Sequence, residues 1–328
     1  MDCFVSVIIP NYNGGTTLRK CLEAAFSSRH SKFEVIVVDD CSTDNSLEII
    51  KRFPCKLVRL DRRSGASRAR NTGAAHSSGK ILFFTDVDCV LQEDTLAEAV
   101  KSLAEHENAV IGGTYTKIPF DDGFFSTFQS IFVHYFETKK REPDYIATHA
   151  MVIERELFTK SGGFQEDFLP ILEDVEFSHR LRRSGCRLIM NPHIVVRHIF
   201  NFTLMRSLRN GFRKSLFWTQ YSMRNRDVFS DSGTASRELK INVASFLAGA
   251  LTLLFLLFFG KGFLFSLLLF IFILNLWSNR GLINAFYRGK GFPFTLGAVM
   301  YYTMLYPLAV GSGALAGTTR YVFFDARE

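Results

Sequence analysis

Residues 5–14 read VSVIIPNYNG: a run of Val and Ile ends at Pro10 and gives way at once to Asn11, Tyr12, Asn13 and Gly14. A short apolar run closed by turn residues has the pattern of a strand buried on both faces of a sheet. The pattern recurs at 34–40, 56–60 and 80–86. Helix-length segments lie between these runs at 16–28, after a cap at Asp44 or Asn45, at 66–77, and later at 92–105. Alternation at this spacing predicts a parallel, helix-covered sheet. Such sheets bind ligands at the carboxyl ends of their strands. Polar residues cluster at those ends here, as Asn11-Tyr12-Asn13, Asp39-Asp40 and Asp86-Val87-Asp88. Further strands are expected at 109–119 and 147–154, flanking a Phe-rich stretch at 120–136. A helix at 174–184 ends on Gly185, a C-cap residue, and a last strand at 187–198 is expected to be interrupted by Pro192.

The chain has 328 residues, 47% hydrophobic and 22% charged, which excludes intrinsic disorder and collagen-like sequence. The charge is unevenly spread. Up to Lys240 acids and bases are interspersed, whereas 241–324 contains no Asp or Glu and only Lys261, Arg280, Arg288, Lys290 and Arg320 as bases. A water-soluble front is thus joined to an apolar tail. The net charge of +7 does not point to nucleic acid, because the bases form no tract with interleaved aromatics, and membrane phospholipid is the acidic partner expected. The six cysteines, all in the front part, form no C-x-x-C pair and are expected to be reduced and cytosolic. The apolar run at 5–10 is too short for a secretory signal, so nothing predicts export of the front part.

Within 202–221, Leu204, Leu208, Phe212 and Leu216 recur at helical spacing, and Arg206, Arg209, Arg213 and Lys214 fall in another sector. Such a helix can lie among lipid headgroups or pack on the soluble part. The 19 residues of 241–259 carry no charge and suffice to span a bilayer. The run at 263–277 either spans with its flanks or returns as a hairpin arm about Gly260-Lys261-Gly262, and 292–317 is a third span that Pro293, Pro307 and several glycines permit to kink. Arg280, Arg288 and Lys290 place 278–291 on the cytoplasmic side by the positive-inside rule. With three spans, the soluble part is then cytoplasmic and the C-terminus outside.

Asp86 and Asp88 flank a single residue after the apolar strand ILFF. Two carboxylates so close repel unless a cation lies between them, and a hard divalent ion, Mg²⁺ or Mn²⁺, meets that need while leaving positions open for phosphates.

With that motif the chain resembles the family-2 nucleotide-sugar glycosyltransferases. The resemblance runs through VSVIIPNYNG (5–14), EVIVVDDCSTDNS (34–46), ARNTGAAHSSG (69–79), ILFFTDVDC (81–89), GGF (162–164) and EDVEFSHRLRRSG (173–185), in family order over about the first 200 residues. It implies the glycosyltransferase-A fold, an α/β Rossmann-like, mostly parallel sheet covered by helices, here followed by an all-α transmembrane tail. The expected organisation is a cytoplasmic catalytic domain at 1–200, an amphipathic interfacial segment at 201–240, a transmembrane region of about three helices at 241–317 and a short tail at 318–328.

By the same resemblance Pro10, Tyr12 and Asp40 line the base pocket of a nucleoside-diphosphate-sugar donor, a UDP-sugar by preference. Arg70 faces the diphosphate, Asp86 the ribose or sugar, and Asp88 holds the metal. His198 matches a position where some relatives place an imidazole on the metal or diphosphate. Glu173 lies on the acceptor side and Asp174 is the catalytic base in a single displacement with inversion. A sugar hydroxyl loses its proton as it attacks, so a carboxylate within reach lowers the barrier. Arg68, Glu176 and His149 receive no chemical role. Gln220 to Asn225 does not match the Q-x-x-R-W motif of processive synthases and no span is read before the domain, so one sugar is expected to be transferred to a lipid or lipid-linked acceptor hydroxyl. A polyprenyl-phosphate acceptor, which needs no base, and a non-catalytic sugar-nucleotide-binding protein are the alternatives.

Overall fold

The computed structural model describes residues 3–167 and 169–325. These divide into two compact units, one built from residues up to 122 together with 137–201, the other from 123–136 together with the chain from 202 onward.

The first unit is an eight-stranded sheet in the order β3-β2-β1-β4-β7-β6-β8-β5. Its first strands and helices alternate as read: β1 (Val5–Asn11), α1 (Leu18–Phe26), β2 (Phe33–Asp39), α2 (Ser46–Ile50), β3 (Lys56–Arg59), α3 (Ala66–Ala75) and β4 (Ile81–Phe84). Then come β5 (Cys89–Leu91), α4 (Thr95–Ala104), β6 (Ala109–Tyr115), α5 (Phe124–Glu137), β7 (Met151–Glu154), α6 (Arg155–Lys160), α7 (Glu173–Arg183) and β8 (Arg187–His198). All of α5 but its last residue belongs to the second unit.

The pairings β1–β2, β1–β4, β2–β3 and β6–β8 are parallel; only those made by β5 and β7 are antiparallel. Six strands therefore run one way, and the ends of β1, β2, β4 and β8 and the starts of β5 and β7 share one edge of the sheet. That edge carries Asp40, Asp86, Asp88 and His198 at or just beyond strand ends. The strands are buried as their composition requires: Val7, Ile8, Ile9, Ile36, Val37, Phe83 and Phe84 are fully inaccessible.

Three local readings change. The three-residue β5 was not foreseen, because Cys89–Leu91 is too short to show alternation. Pro192 does not interrupt β8. The register against β6 jumps from Gly112↔Met190 to Thr114↔Val195, so Pro192, which has no N–H to donate, sits in a bulge of a continuous strand. The Phe-rich stretch forms α5, a helix that the aromatic content alone did not announce.

In the second unit α5 is joined by α8 (Leu204–Asn225), α9 (Arg237–Phe259), α10 (Gly262–Ser278), α11 (Arg280–Met300) and α12 (Tyr306–Arg320), with a π-helical turn at Tyr301–Leu305 between the last two. Two stretches are long and apolar enough to cross a membrane: Arg237–Phe259 and Arg280–Phe323, the second divided at Gly291, whose φ of 75° breaks the helix. The break puts Pro293 in a first turn, where a missing N–H costs nothing. The segment 278–291 is itself helical. α10, at 17 residues, is shorter. The tail expected at 318–328 begins inside α12, and residues 326–328 lie outside the described ones.

Side chains along α9 and α10 point outward to a degree that water does not tolerate: Leu257 and Phe258 are 75% and 76% exposed, and Phe263 68%. Three asparagines of the unit and Tyr302 are satisfied internally. Asn275 Nδ2 donates to Asn242 Oδ1 (2.9 Å), Asn242 Nδ2 to the Tyr302 carbonyl (2.7 Å), Asn279 Nδ2 to Asn275 Oδ1 (2.9 Å), and the Tyr302 hydroxyl to Asn279 Oδ1 (3.0 Å). A chain of amides joining α9, α10 and the π-helical turn is how helices in an apolar medium are held in register. α8 and α12 lie close, since a Cβ at Gly313 would stand 2.4 Å from the Phe212 carbonyl oxygen and one at Gly317 2.4 Å from that of Leu216.

Candidate active site

The side chain of Arg70 on α3 organises the sheet edge. It is 4% exposed, and its guanidinium fork reaches Asp86 Oδ1 at 2.7 Å with Nη2 and Glu173 Oε1 at 2.6 Å with Nη1. Its buried Nε–H has no hydrogen-bond partner among the described residues. Asp86 follows β4 and Glu173 opens α7, so one cation ties two elements distant in sequence. Burial favours the protonated form of Asp86, but the adjacent Arg70 charge and hydrogen bond overcome it and hold the carboxyl below its ordinary range.

Asp88 is the opposite case. Burial, reinforced by the Asp86 carboxylate, pushes its carboxyl up to about 7. His198 ends β8 and pairs in register with Cys89, which brings its Nε2 to 3.4 Å from Asp88 Oδ1. Asp88, Cys89 and His198 each offer a ligand atom, all within 4.8 Å of one another. The Cys89 thiol is pushed well up by burial and then by Asp88 and Asp86, which leaves it neutral and a poor ligand. The donor set that fits a divalent cation is thus the carboxylate of Asp88 and the imidazole of His198. A cation there would favour the ionised form of Asp88.

Asp174 is the second residue of α7. Burial, and then the neighbouring Glu173, raise its carboxyl to about 7. Its Oδ1 accepts from the Val175 N–H at 2.9 Å. The charges of Arg70 and His149 act on Asp88 and on Asp174 alike, so the two acids share one electrostatic environment. The residue before the pair, Leu172, has φ of 78°, a costly backbone state for a branched side chain. That turn directs the start of α7 toward Arg70. No composition signal marks it.

The base-side residues are arranged differently. Tyr12 is 40% exposed, with the Arg63 guanidinium 4.0 Å over its ring. Pro10 ends the buried run of β1 and is partly accessible. Asp40 is buried and accepts from the backbone N–H groups of Ser64 (2.6 Å) and Gly65 (2.8 Å), which fixes the loop leading into α3. Each of its oxygens keeps a second lone pair for a ligand N–H.

Residues given no chemical role have structural ones. Arg68 pairs at the surface with Glu166 (2.8 Å), and Glu176 pairs with Arg180 one turn on (3.0 Å). His149 is more involved than its sequence context indicated. It is buried, its Nε2 lies 3.4 Å from Glu137 Oε2, and its ring stacks on Tyr115 at 4.0 Å between centroids. Burial works against a proton on His149, but Glu137 outweighs it and raises the imidazole. Tyr115 in turn meets the edge of His198 at 4.9 Å. Asn71 was also missed: its amide accepts from the Phe164 N–H (2.9 Å) and donates to the Phe164 carbonyl (2.8 Å), pinning the Gly162-Gly163-Phe164 loop beside α3.

A largely one-directional sheet with Arg70, His198 and the acids Asp40, Asp86, Asp88, Glu173 and Asp174 along its carboxyl edge is a glycosyltransferase-A-type fold. Residues 6–162 match the family model described as Glycosyl transferase family 2, and this chain carries a domain of that family followed by long apolar helices. Glycosyltransferase AglE of Haloferax volcanii is 40% identical over 117 residues, 34% of this chain and 38% of that protein. An uncharacterized glycosyltransferase of Haemophilus influenzae is 33% identical over 194 residues, 54% of this chain and 61% of that protein. The chain thus spans less than two thirds of these curated relatives. Mannosyltransferase PcManGT from Pyrobaculum calidifontis, solved in complex with GDP-Man and Mn²⁺, superposes with a TM-score of 0.60 over 98% of this chain and 88% of that one at 20% identity, a likeness of fold.

Proposed function

We propose that this chain is a membrane-anchored, inverting glycosyltransferase that moves one sugar from a nucleoside-diphosphate sugar, a UDP-sugar by preference, to the hydroxyl of a lipid-linked acceptor at the cytoplasmic face. The observation that carries the reading is the buried Arg70 fork spanning Asp86 and Glu173. A permanent cation, with one N–H unsatisfied, at the sheet edge where this fold type binds ligands suits an anionic diphosphate.

In this reading Pro10, Tyr12 and Asp40 hold the base. Asp40, anchored by two backbone amides, receives a base N–H. Asp86, kept ionised by Arg70, accepts from a ribose or sugar hydroxyl. Asp88 and His198 would hold Mg²⁺ or Mn²⁺, which supplies positive charge to the departing diphosphate. Arg70 adds a fixed charge on the same leaving group, and water is kept off it by its burial. Glu173 positions the acceptor side and Asp174 takes the acceptor's proton. A carboxylate raised to about 7 is a stronger base than an exposed one while still half ionised near neutrality. The need for such a base favours a hydroxyl acceptor over a phosphate, which arrives ionised.

The apolar exterior of α9 and α10 supports anchoring in a bilayer, and Arg280, Arg288 and Lys290 support a cytoplasmic first unit. Purified full-length protein in detergent, incubated with Mn²⁺ and each of a panel of UDP- and GDP-sugars, is expected to release nucleoside diphosphate from one donor class and to transfer its sugar to extracted lipid. Absence of metal-dependent release from every donor would reject catalysis and leave the binding-protein alternative.

A further inference from the structure

The second unit contains a cavity of about 380 Å³, in the size range of ligand sites, roughly 300–1,000 Å³. Three helices form most of its walls, and Gln129 and Phe132 of α5 together with the 228–235 loop complete them. α9 supplies Lys240, Val243, Ala244 and Leu247; α12 supplies Tyr306, Val310, Ala314 and Thr318; α8 supplies Gly211, Lys214, Ser215, Trp218, Thr219 and Ser222. Those spacings of three and four are what put residues on one side of a helix. The lining is mostly apolar, with small hydroxyls, the Gln129 amide and two lysines as its polar groups.

Both lysines belong to this cavity and no lining residue is acidic. Lys240 stands in the first turn of α9, a helix long and apolar enough to cross a membrane, and its Nζ donates to the Ser230 carbonyl. From Lys240 the α9 wall runs inward through Val243 and Ala244 to Leu247, two turns along the helix and about 10 Å deeper. Charge at the level where a span begins and an apolar channel below it are complementary to an anionic headgroup carrying a hydrocarbon chain. Phe229, 87% exposed, lines the cavity from the loop before α9.

We infer that this cavity is a binding site for one membrane lipid with an anionic phosphate headgroup, the chain seated between α8, α9 and α12 and the headgroup at Lys214 and Lys240. The site lies wholly within the second unit and does not depend on the proposed transfer reaction.

The chain has two tryptophans, and one of them, Trp218, lines the cavity while being only 8% exposed. In the full-length Trp277→Phe protein, emission reports Trp218 alone. Reconstitution in phosphatidylcholine nanodiscs with graded dibrominated phosphatidylglycerol should quench that emission saturably. Half-quenching is expected at a roughly tenfold or more lower mole fraction than with dibrominated phosphatidylcholine. The Lys214→Gln/Lys240→Gln variant should lose the preference, and Ala314→Leu, which fills the cavity without touching a charge, should lose the saturable component. Inorganic phosphate alone should change nothing. Equal quenching by both lipids in proportion to their mole fraction, quenching unaffected by Ala314→Leu, or an emission change with free phosphate alone would each overturn the inference.

Discussion

Arg70 and Glu173 lie 103 positions apart, yet Nη1 of one is 2.6 Å from Oε1 of the other. The contact joins α3 to the start of α7, and the other prong of the same guanidinium holds Asp86. Replacing Arg70 by Ala leaves two partly buried carboxylates without their cation, a loss of about 1.5–3 kcal/mol. Lys retains the charge but not the fork. Thermal unfolding in detergent is expected to order the variants wild type, Arg70→Lys, Arg70→Ala. The rate of sugar transfer should fall roughly 100- to 1,000-fold for Arg70→Ala. Unchanged turnover in Arg70→Ala would remove Arg70 from the diphosphate site.

Asp174 sets a pH dependence. Its carboxyl titrates at about 7, so the ionised base, and with it the transfer rate at saturating donor, should climb from pH 6 to pH 8. Stability changes in the opposite sense. A carboxyl whose folded pKa lies above its unfolded value of about 3.9 stabilises the fold at low pH and loses that contribution as pH rises through 7. With Mn²⁺ saturating, so that Asp88 stays ionised, Asp174→Asn should flatten the rate profile and cost roughly 100- to 10,000-fold in rate. A rate that still rises through pH 7 in Asp174→Asn would assign the titration to another group.

Helix packing in the second unit gives a pair of opposite signs. At Gly313 an added methyl meets the backbone oxygen of Phe212 at 2.4 Å, so Gly313→Ala must separate α8 from α12 and should lose about 1–3 kcal/mol. At Gly249 the nearest atom is a Leu268 methyl at 3.6 Å, so Gly249→Ala meets ordinary contact and should gain up to about 1 kcal/mol in helix propensity. Melting of both variants in the same detergent checks the two signs together.

The alternation of Val- and Ile-rich runs with helical segments was legible because buried parallel strands are apolar on both faces, and the acids at their ends stood out against them. The edge at which they gather was legible for the same reason. What stayed hidden has no compositional mark: the reversed direction of β5 and β7, the φ of Leu172, the bulge that accommodates Pro192, and the Glu137–His149–Tyr115 stack, whose members come from three segments. The Gly313–Gly317 spacing in α12 is a readable small-residue signal of close helix packing. The amide chain Asn242–Asn275–Asn279 was visible as asparagines at the ends of apolar runs, but only helix packing shows that they face one another.

In the proposed mechanism Asp88 and His198 hold one divalent cation at the sheet edge that Arg70 organises. Electron paramagnetic resonance of Mn²⁺ titrated into the full-length protein with a nucleoside diphosphate tests it most directly. One bound Mn²⁺ per chain is expected, with spin-echo modulation from an imidazole nitrogen that disappears in His198→Ala, and with binding weakened at least about tenfold in Asp88→Ala. Mn²⁺ that binds equally well to both variants, or that shows no nitrogen in the wild-type protein, would contradict it.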